Sequence, residues 1–224
     1  MTEVAAAYRG CRERLTELLT GLDERQARVA VPACPDWTVH DVLAHVSGGI
    51  ADALAGRMAG AGSDEWTAAQ VEARREMALT EILEEWNTNA PQVEPLLDGA
   101  GDIGRQAVAD VVTHEHDIRG ALERPGARDS DAVTIGLGFA AGQLLASATE
   151  RGVGLRVQTT DGLAFGSEEP DATLTGDRFE LLRAIVGRRS VEQLRAMKWE
   201  GDHERAIPAF WWLVLHPAEM PLHE

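Results

Sequence analysis

Apolar residues recur at three- and four-residue steps through the first half of the chain and lose that rhythm after Gly126, so the two halves must fold differently. Between residues 3 and 22, starting at Glu3, the side chains of Val4, Cys11, Leu15, Leu18, Leu19 and Leu22 share one face of a helix that ends near Gly21. The breaker-rich run Val31-Pro32-Ala33-Cys34-Pro35-Asp36-Trp37 predicts a loop, and Thr38 with Asp41 resembles a capping box that opens a second helix over residues 39–58. After a break from Gly60 to Ser63, an acidic segment with Val71, Ile82 and Trp86 on its apolar side leads towards Pro91. Gly99 to Gly104 interrupts the chain again before a fourth helix over residues 105–122, stopped by Arg124-Pro125-Gly126. Four helices joined by breakers predict a bundle spanning residues 1–126.

Beyond Gly126, Ser130 or Asp131 caps a helix reaching Thr149, whose Gly138 and Gly142 open one face to close approach. Extended runs over residues 155–159 and 172–175 then alternate with turn signals such as Asp161-Gly162, and new helices start at Asp177 with Glu180 and at Ser190 with Gln193. Residues 127–224 are therefore expected to form a small α+β domain, giving an α+β chain overall. Residues 209–215, with Phe210, Trp211 and Trp212, read as a buried terminal element, an aromatic ligand platform being the alternative.

The formal net charge of -16, with no Lys/Arg-rich run, repels a phosphate backbone and speaks against nucleic acid as a partner. No stretch approaches the roughly 20 continuous apolar residues that cross a bilayer, and Met1-Thr2-Glu3 lacks the basic and apolar regions of a signal peptide. The expectation is a cytoplasmic protein without a membrane partner. Cys11 and Cys34 are too few for a disulfide framework and read as small buried hydrophobes.

Chemistry concentrates in Asp110-Val111-Val112-Thr113-His114-Glu115-His116-Asp117. On a helical wheel His114 falls inside the apolar arc of Ala107, Val111, Ile118 and Leu122, where a histidine is either satisfied within the core or a ligand. Asp110 lies one turn earlier at the border of that arc, a spacing that can present an oxygen and an imidazole nitrogen to one metal ion. Glu115 has Arg119 four residues on, so an ion pair is one reading and a general base beside a metal the other. His116 points away from His114, to the surface or to a capping contact, and Asp117 falls towards the polar side. On the second helix His45 stands beside the stripe of Val42, Val46 and Ile50, with Gly49 one turn later leaving room for a metal, water or ligand. His40 projects from another face and belongs to the helix start.

The run Val31-Pro-Ala-Cys-Pro-Asp-Trp-Thr-Val-His-Asp-Val-Leu-Ala-His45-Val, followed by Asp110-Val-Val-Thr-His-Glu-His-Asp-Ile-Arg-Gly-Ala-Leu122, resembles the mycothiol-dependent maleylpyruvate isomerase family. Thr159-Thr-Asp-Gly, Pro170-Asp-Ala-Thr-Leu-Thr-Gly and Leu182-Arg-Ala-Ile-Val-Gly-Arg-Arg-Ser190 extend the likeness into the second half. The resemblance implies a DinB-like metal-binding four-helix bundle followed by a small sterol-carrier-like domain. It implies His45, Asp110 and His114 as metal ligands, with Asp110 standing where the family's isomerases have Glu. Arg188 and Arg189 become candidates for holding the thiol cosubstrate through their matching neighbourhood; a solvated helix end is the other reading.

Three nitrogen and oxygen ligands suit zinc and leave one coordination position open, with nickel, iron and manganese as alternatives. Such an ion lowers the pKa of a bound thiol, and the resemblance supplies mycothiol, whose metal-bound thiolate would attack an electrophilic small molecule. The expected function is a metal- and mycothiol-dependent S-transferase or isomerase, in a monomer or weak homodimer. A metal-dependent hydrolase and a non-catalytic small-molecule-binding protein are the alternatives.

Overall fold

A computed structural model of the chain describes residues 4–224; Met1-Thr2-Glu3, with the expected helix start at Glu3, lie outside the described residues. The chain divides into two compact units, one reaching Gly126 and taking in Glu224, the other Ala127–His223.

The first unit is built on α1 (Val4–Leu19), which buries Tyr8, Cys11, Leu15 and Leu19 along one face, as their spacing demands. A single turn, α2 (Glu24–Ala27), leads into an antiparallel pair, β1 (Ala30–Val31) and β2 (Cys34–Thr38), where the sequence suggests only a loop. Thr38 ends that pair and caps α3 (Val39–Leu54): its side chain accepts from the Asp41 amide, and Asp41 accepts from the Thr38 amide at 2.9 Å. This reciprocal box fixes the direction in which the chain enters α3 and, with it, the place of Trp37.

The acidic segment expected to be one helix is two. α4 (Asp64–Ala73) is capped by Ser63 and ends at Arg74, and α5 (Leu79–Val93) follows, running through Pro91 near its end. Arg74 fastens α4 to α5 through Nε and Nη2 contacts of 2.6 and 2.9 Å to Glu85, which also accepts from Ser47 at 2.7 Å. A 3-10 turn (Glu94–Gly99) precedes α6 (Asp102–Ala121). The long helices α1, α3, α5 and α6 make a bundle in which α6 is covered by α1, α3 and β1. Its residues from Val108 to Ile118 are consequently buried almost without interruption, Asp110 being the exposed exception.

In the second unit α7 (Asp131–Glu150) is, against the expectation from continuous apolar runs, long and apolar enough to cross a membrane by length and composition. Val133, Leu137, Ala140, Leu144 and Ala148 on it are instead in the unit's core, against β3 (Leu155–Thr159), β4 (Ala164–Gly166) and α8 (Arg178–Ile185). Gly138 and Gly142 are not required for close approach: added methyl groups there would meet Phe165 at 3.9 Å and nothing, respectively. The sheet has the order β4-β3-β5-β6, with β5 (Ala172–Gly176) parallel to β3, and β4 and β6 (Lys198–Gly201) antiparallel at the edges. Asp177 caps α8 and a Ser190–Gln193 box caps α9 (Val191–Ala196), as their spacing predicts. α10 (His203–Ala206) and a 3-10 turn (Ile207–Phe210) follow. The terminal aromatic segment is only partly buried: Phe210 and Trp212 are inside, with Trp212 Nε1 donating to the Ile185 carbonyl at 3.0 Å, whereas Trp211, Leu213 and Val214 are exposed.

Candidate metal centre

Each of the three expected ligands is delivered by a helix of the first unit. α3 supplies His45, and α6 supplies Asp110 and, one turn later, His114. Nε2 of His45 lies 3.5 Å from Asp110 Oδ1, and Nε2 of His114 lies 3.6 Å from the same oxygen. The three ligand atoms all fall within 4.8 Å of one another. Tetrahedral coordination with bonds of about 2.0–2.2 Å sets its ligands about 3.4 Å apart, so the set can close on one small ion with little movement. Both imidazole side chains are 9 % exposed while the Asp110 side chain is 47 % exposed, which leaves the centre open on the carboxylate side.

The outer ring nitrogens decide whether those Nε2 atoms can be ligands. Nδ1 of His114 is 3.0 Å from Asp117 Oδ2, and a carboxylate can only accept. Nδ1 therefore carries a proton, which leaves Nε2, facing Asp110, as the ring nitrogen available to a metal. Nδ1 of His45 is 2.7 Å from Gln70 Oε1, so the second imidazole is held the same way. Paired acceptors of this kind orient metal-binding histidines and raise their basicity.

An aromatic wall encloses the pair. The Trp37 ring centroid is 5.3 Å from that of His45 and 6.0 Å from that of His114, and Trp66 meets His45 edge-on at 6.3 Å. Trp37 also borders a cleft of about 550 Å³ that carries Asp36, Asp41, Glu65, Glu72 and Arg75, walls better suited to hydroxyl-bearing groups than to anions.

Other residues near the centre lie differently from what the helical wheel predicts. Asp117 is 1 % and His116 3 % exposed, so neither lies on a polar face; α6 is covered on too many sides to have one there. Asp117 also accepts from Cys34 Sγ at 3.5 Å, and Cys34, His114 and Asp117 offer a second set of potential ligand atoms within 4.8 Å. Glu115 makes the expected ion pair with Arg119, and it faces α1 instead of the centre. It receives Arg14 through Nε at 2.8 Å and Nη2 at 2.6 Å, and Arg119 Nε at 3.0 Å. Burial pushes its carboxyl up, but the Arg14 fork, helped by His116 and Arg119, outweighs this and holds it below the ordinary range. A carboxylate so engaged is not poised as a general base. Gly49 does not make space at the centre either, since an added methyl would be in ordinary contact with Trp66 at 3.7 Å. His40 is buried as part of the helix start, with Nε2 2.8 Å from the Met77 carbonyl.

In the second unit Arg188 and Arg189 are 8 % and 6 % exposed, not a solvated helix end. Arg189 forks onto Glu180 at 2.9 and 2.7 Å, and Arg188 Nη1 donates to the Val186 carbonyl at 2.8 Å.

Residues 8–108 match the family model of the mycothiol maleylpyruvate isomerase N-terminal domain. That match lies wholly within the first unit. The match takes in Trp37, His45 and Gln70 and stops two residues short of Asp110, so the two candidate ligands on α6 lie outside it. Two crystal structures share the fold over 84 % of this chain and 92 % of theirs. One is of a histidine-to-alanine mutant of mycothiol-dependent maleylpyruvate isomerase, at 12 % identity and a TM-score of 0.60. The other is of mycothiol-dependent maleylpyruvate isomerase, at 11 % identity and a TM-score of 0.53. No curated protein sequence matches the chain.

Proposed function

We propose that this chain is an enzyme that holds a divalent metal ion, best suited to zinc, through His45, Asp110 and His114 and uses it in mycothiol-dependent isomerase or S-transferase chemistry. The observation that carries the reading is the convergence of two imidazole Nε2 atoms on Asp110 Oδ1, at 3.5 and 3.6 Å, with both Nδ1 atoms tied to acceptors. The family model matched by residues 8–108 and the fold shared with the isomerase structures support the thiol.

A divalent ion bound there would lower the pKa of a thiol in its open coordination position and so supply a nucleophile at neutral pH. The residues set the charge that favours this. Two neutral imidazoles and one carboxylate leave a divalent centre with one uncompensated positive charge, which one thiolate neutralises. Asp110, on the exposed side, leaves the approach for thiol and substrate, and Trp37 keeps water from the imidazole faces. The electrophile would be a small molecule with an activated double bond or a leaving group; addition, bond rotation and elimination of the thiol would isomerise the former.

Cobalt-substituted protein titrated with mycothiol tests this. A sulfur-to-metal charge-transfer band that saturates with thiol is expected, and an unchanged spectrum at saturating thiol would refute thiol chemistry at this centre.

A further inference from the structure

Between His45 and the protein surface runs a chain of polar groups in which each has one permitted role. Asp52, near the end of α3, accepts from Arg57, with Nε at 2.9 Å and Nη2 at 2.8 Å from Oδ1. Its other oxygen, Oδ2, accepts from Gln70 Nε2 at 3.0 Å. Because a carboxylate has nothing to donate, Gln70 must turn its nitrogen to Asp52 and its oxygen to His45. That oxygen is the one 2.7 Å from Nδ1. The reversed amide would present N–H groups to Nδ1, move the ring proton to Nε2 and place it between His45 and Asp110, where it would block a metal.

The packing is built around the same amide. Gln70 is 3 % exposed and lies across α3 at Gly48, where a methyl group would come within 2.6 Å of Gln70 Cβ and 2.8 Å of Cγ. On α4, Gln70 is further held by Arg74, whose Nη1 donates to the Gln70 carbonyl at 3.2 Å while its Nε and Nη2 grip Glu85. A missing side chain on one helix and an anchored turn on the next thus keep Gln70 at hydrogen-bonding distance from His45.

We propose that Gln70 is a positioning residue of the metal centre, oriented by Asp52, and that it selects the His45 tautomer able to bind the ion. This rests on the metal reading of His45, Asp110 and His114.

The test uses three variants, each checked for unchanged helix content by circular dichroism. Metal affinity is read by competition with a chelator, and the tautomer by ring ¹⁵N shifts in the metal-free protein. Gln70→Leu keeps the bulk and removes the acceptor; it should weaken metal binding about ten- to a hundredfold and release His45 from the Nδ1–H form. The double variant Gln70→Glu with Asp52→Asn exchanges amide and carboxylate, preserving the net charge and the acceptor that faces His45 while reversing the bond between residues 52 and 70. The amide introduced on α3 would then donate to the carboxylate introduced on α4 and still accept from Arg57, so affinity should stay within about threefold of the native chain. Native affinity in Gln70→Leu, with metal lost from His45→Ala, would overturn the role of Gln70 and leave the metal centre standing. A double variant as weak as Gln70→Leu would also overturn it, since packing and not hydrogen-bond direction would then govern. Metal retained in His45→Ala would overturn the centre itself.

Discussion

Replacing Glu115 by Gln separates the centre from its neighbour on α6. Glu115 is fully buried and accepts three hydrogen bonds from Arg14 and Arg119, and the substitution keeps its shape while removing its charge. One partner of a buried pair lost in this way costs about 3–5 kcal/mol. The Arg14 side chain is 29 % exposed and can recover some hydration, so the lower end, about 3 kcal/mol, is expected. With a urea dependence of about 2 kcal/mol per M for a unit of this size, the unfolding midpoint should fall by about 1.5 M. The pH dependence has a definite sign. The folded carboxyl is held below its unfolded value, so its contribution is complete above the unfolded pKa of about 4.3 and disappears as the pH falls through the lower folded one. The native chain and the variant should therefore differ fully at pH 7 and converge under acid. Metal affinity, read by chelator competition on the folded variant, should remain native. Unchanged stability, or metal lost from a folded variant, would refute the assignment of Glu115 to structure.

Gly48→Ala should destabilise by about 1–3 kcal/mol and weaken metal binding, because its methyl would drive into Gln70; Gly49→Ala, in ordinary contact only, should be neutral or stabilising by up to about 1 kcal/mol through helix propensity. Urea melts of the two variants decide between the two glycines. Asp110→Asn should weaken metal affinity at least about tenfold in chelator competition, and Asp110→Glu should retain the ion; equal affinities in both would remove Asp110 from the centre.

How far the site could be read from the sequence depended on whether its contacts lie within one helix. Asp110 and His114 are one turn apart, and that spacing alone brings both to the same oxygen-and-nitrogen set. His45 stands at the edge of its stripe because its partners come from outside α3: Gln70 and Trp66 from α4, Trp37 from β2. α4 carries only a weak apolar face, so it merges with α5 in the sequence pattern, and Gln70 gives no signal there. Asp117 was missed for a different reason. A helical wheel assumes one wet face, and α6 is enclosed by α1, α3 and β1, so a carboxylate on the presumed polar side ends up buried against His114. Arg188 and Arg189 follow the same logic: a charged pair after a helix reads as solvated until the chain turns back and lets Arg189 reach Glu180 on the helix it follows. The capping boxes at Thr38 and Ser190 were legible because their partners are three residues away.

The central claim is a divalent ion held by His45, Asp110 and His114, and elemental analysis of the purified protein beside its His45→Ala and His114→Ala variants tests it most directly. About one ion per chain is predicted for the native protein, as a single site with three protein ligands requires. Both variants should lose it while keeping native helix content, and full occupancy in both would contradict the account.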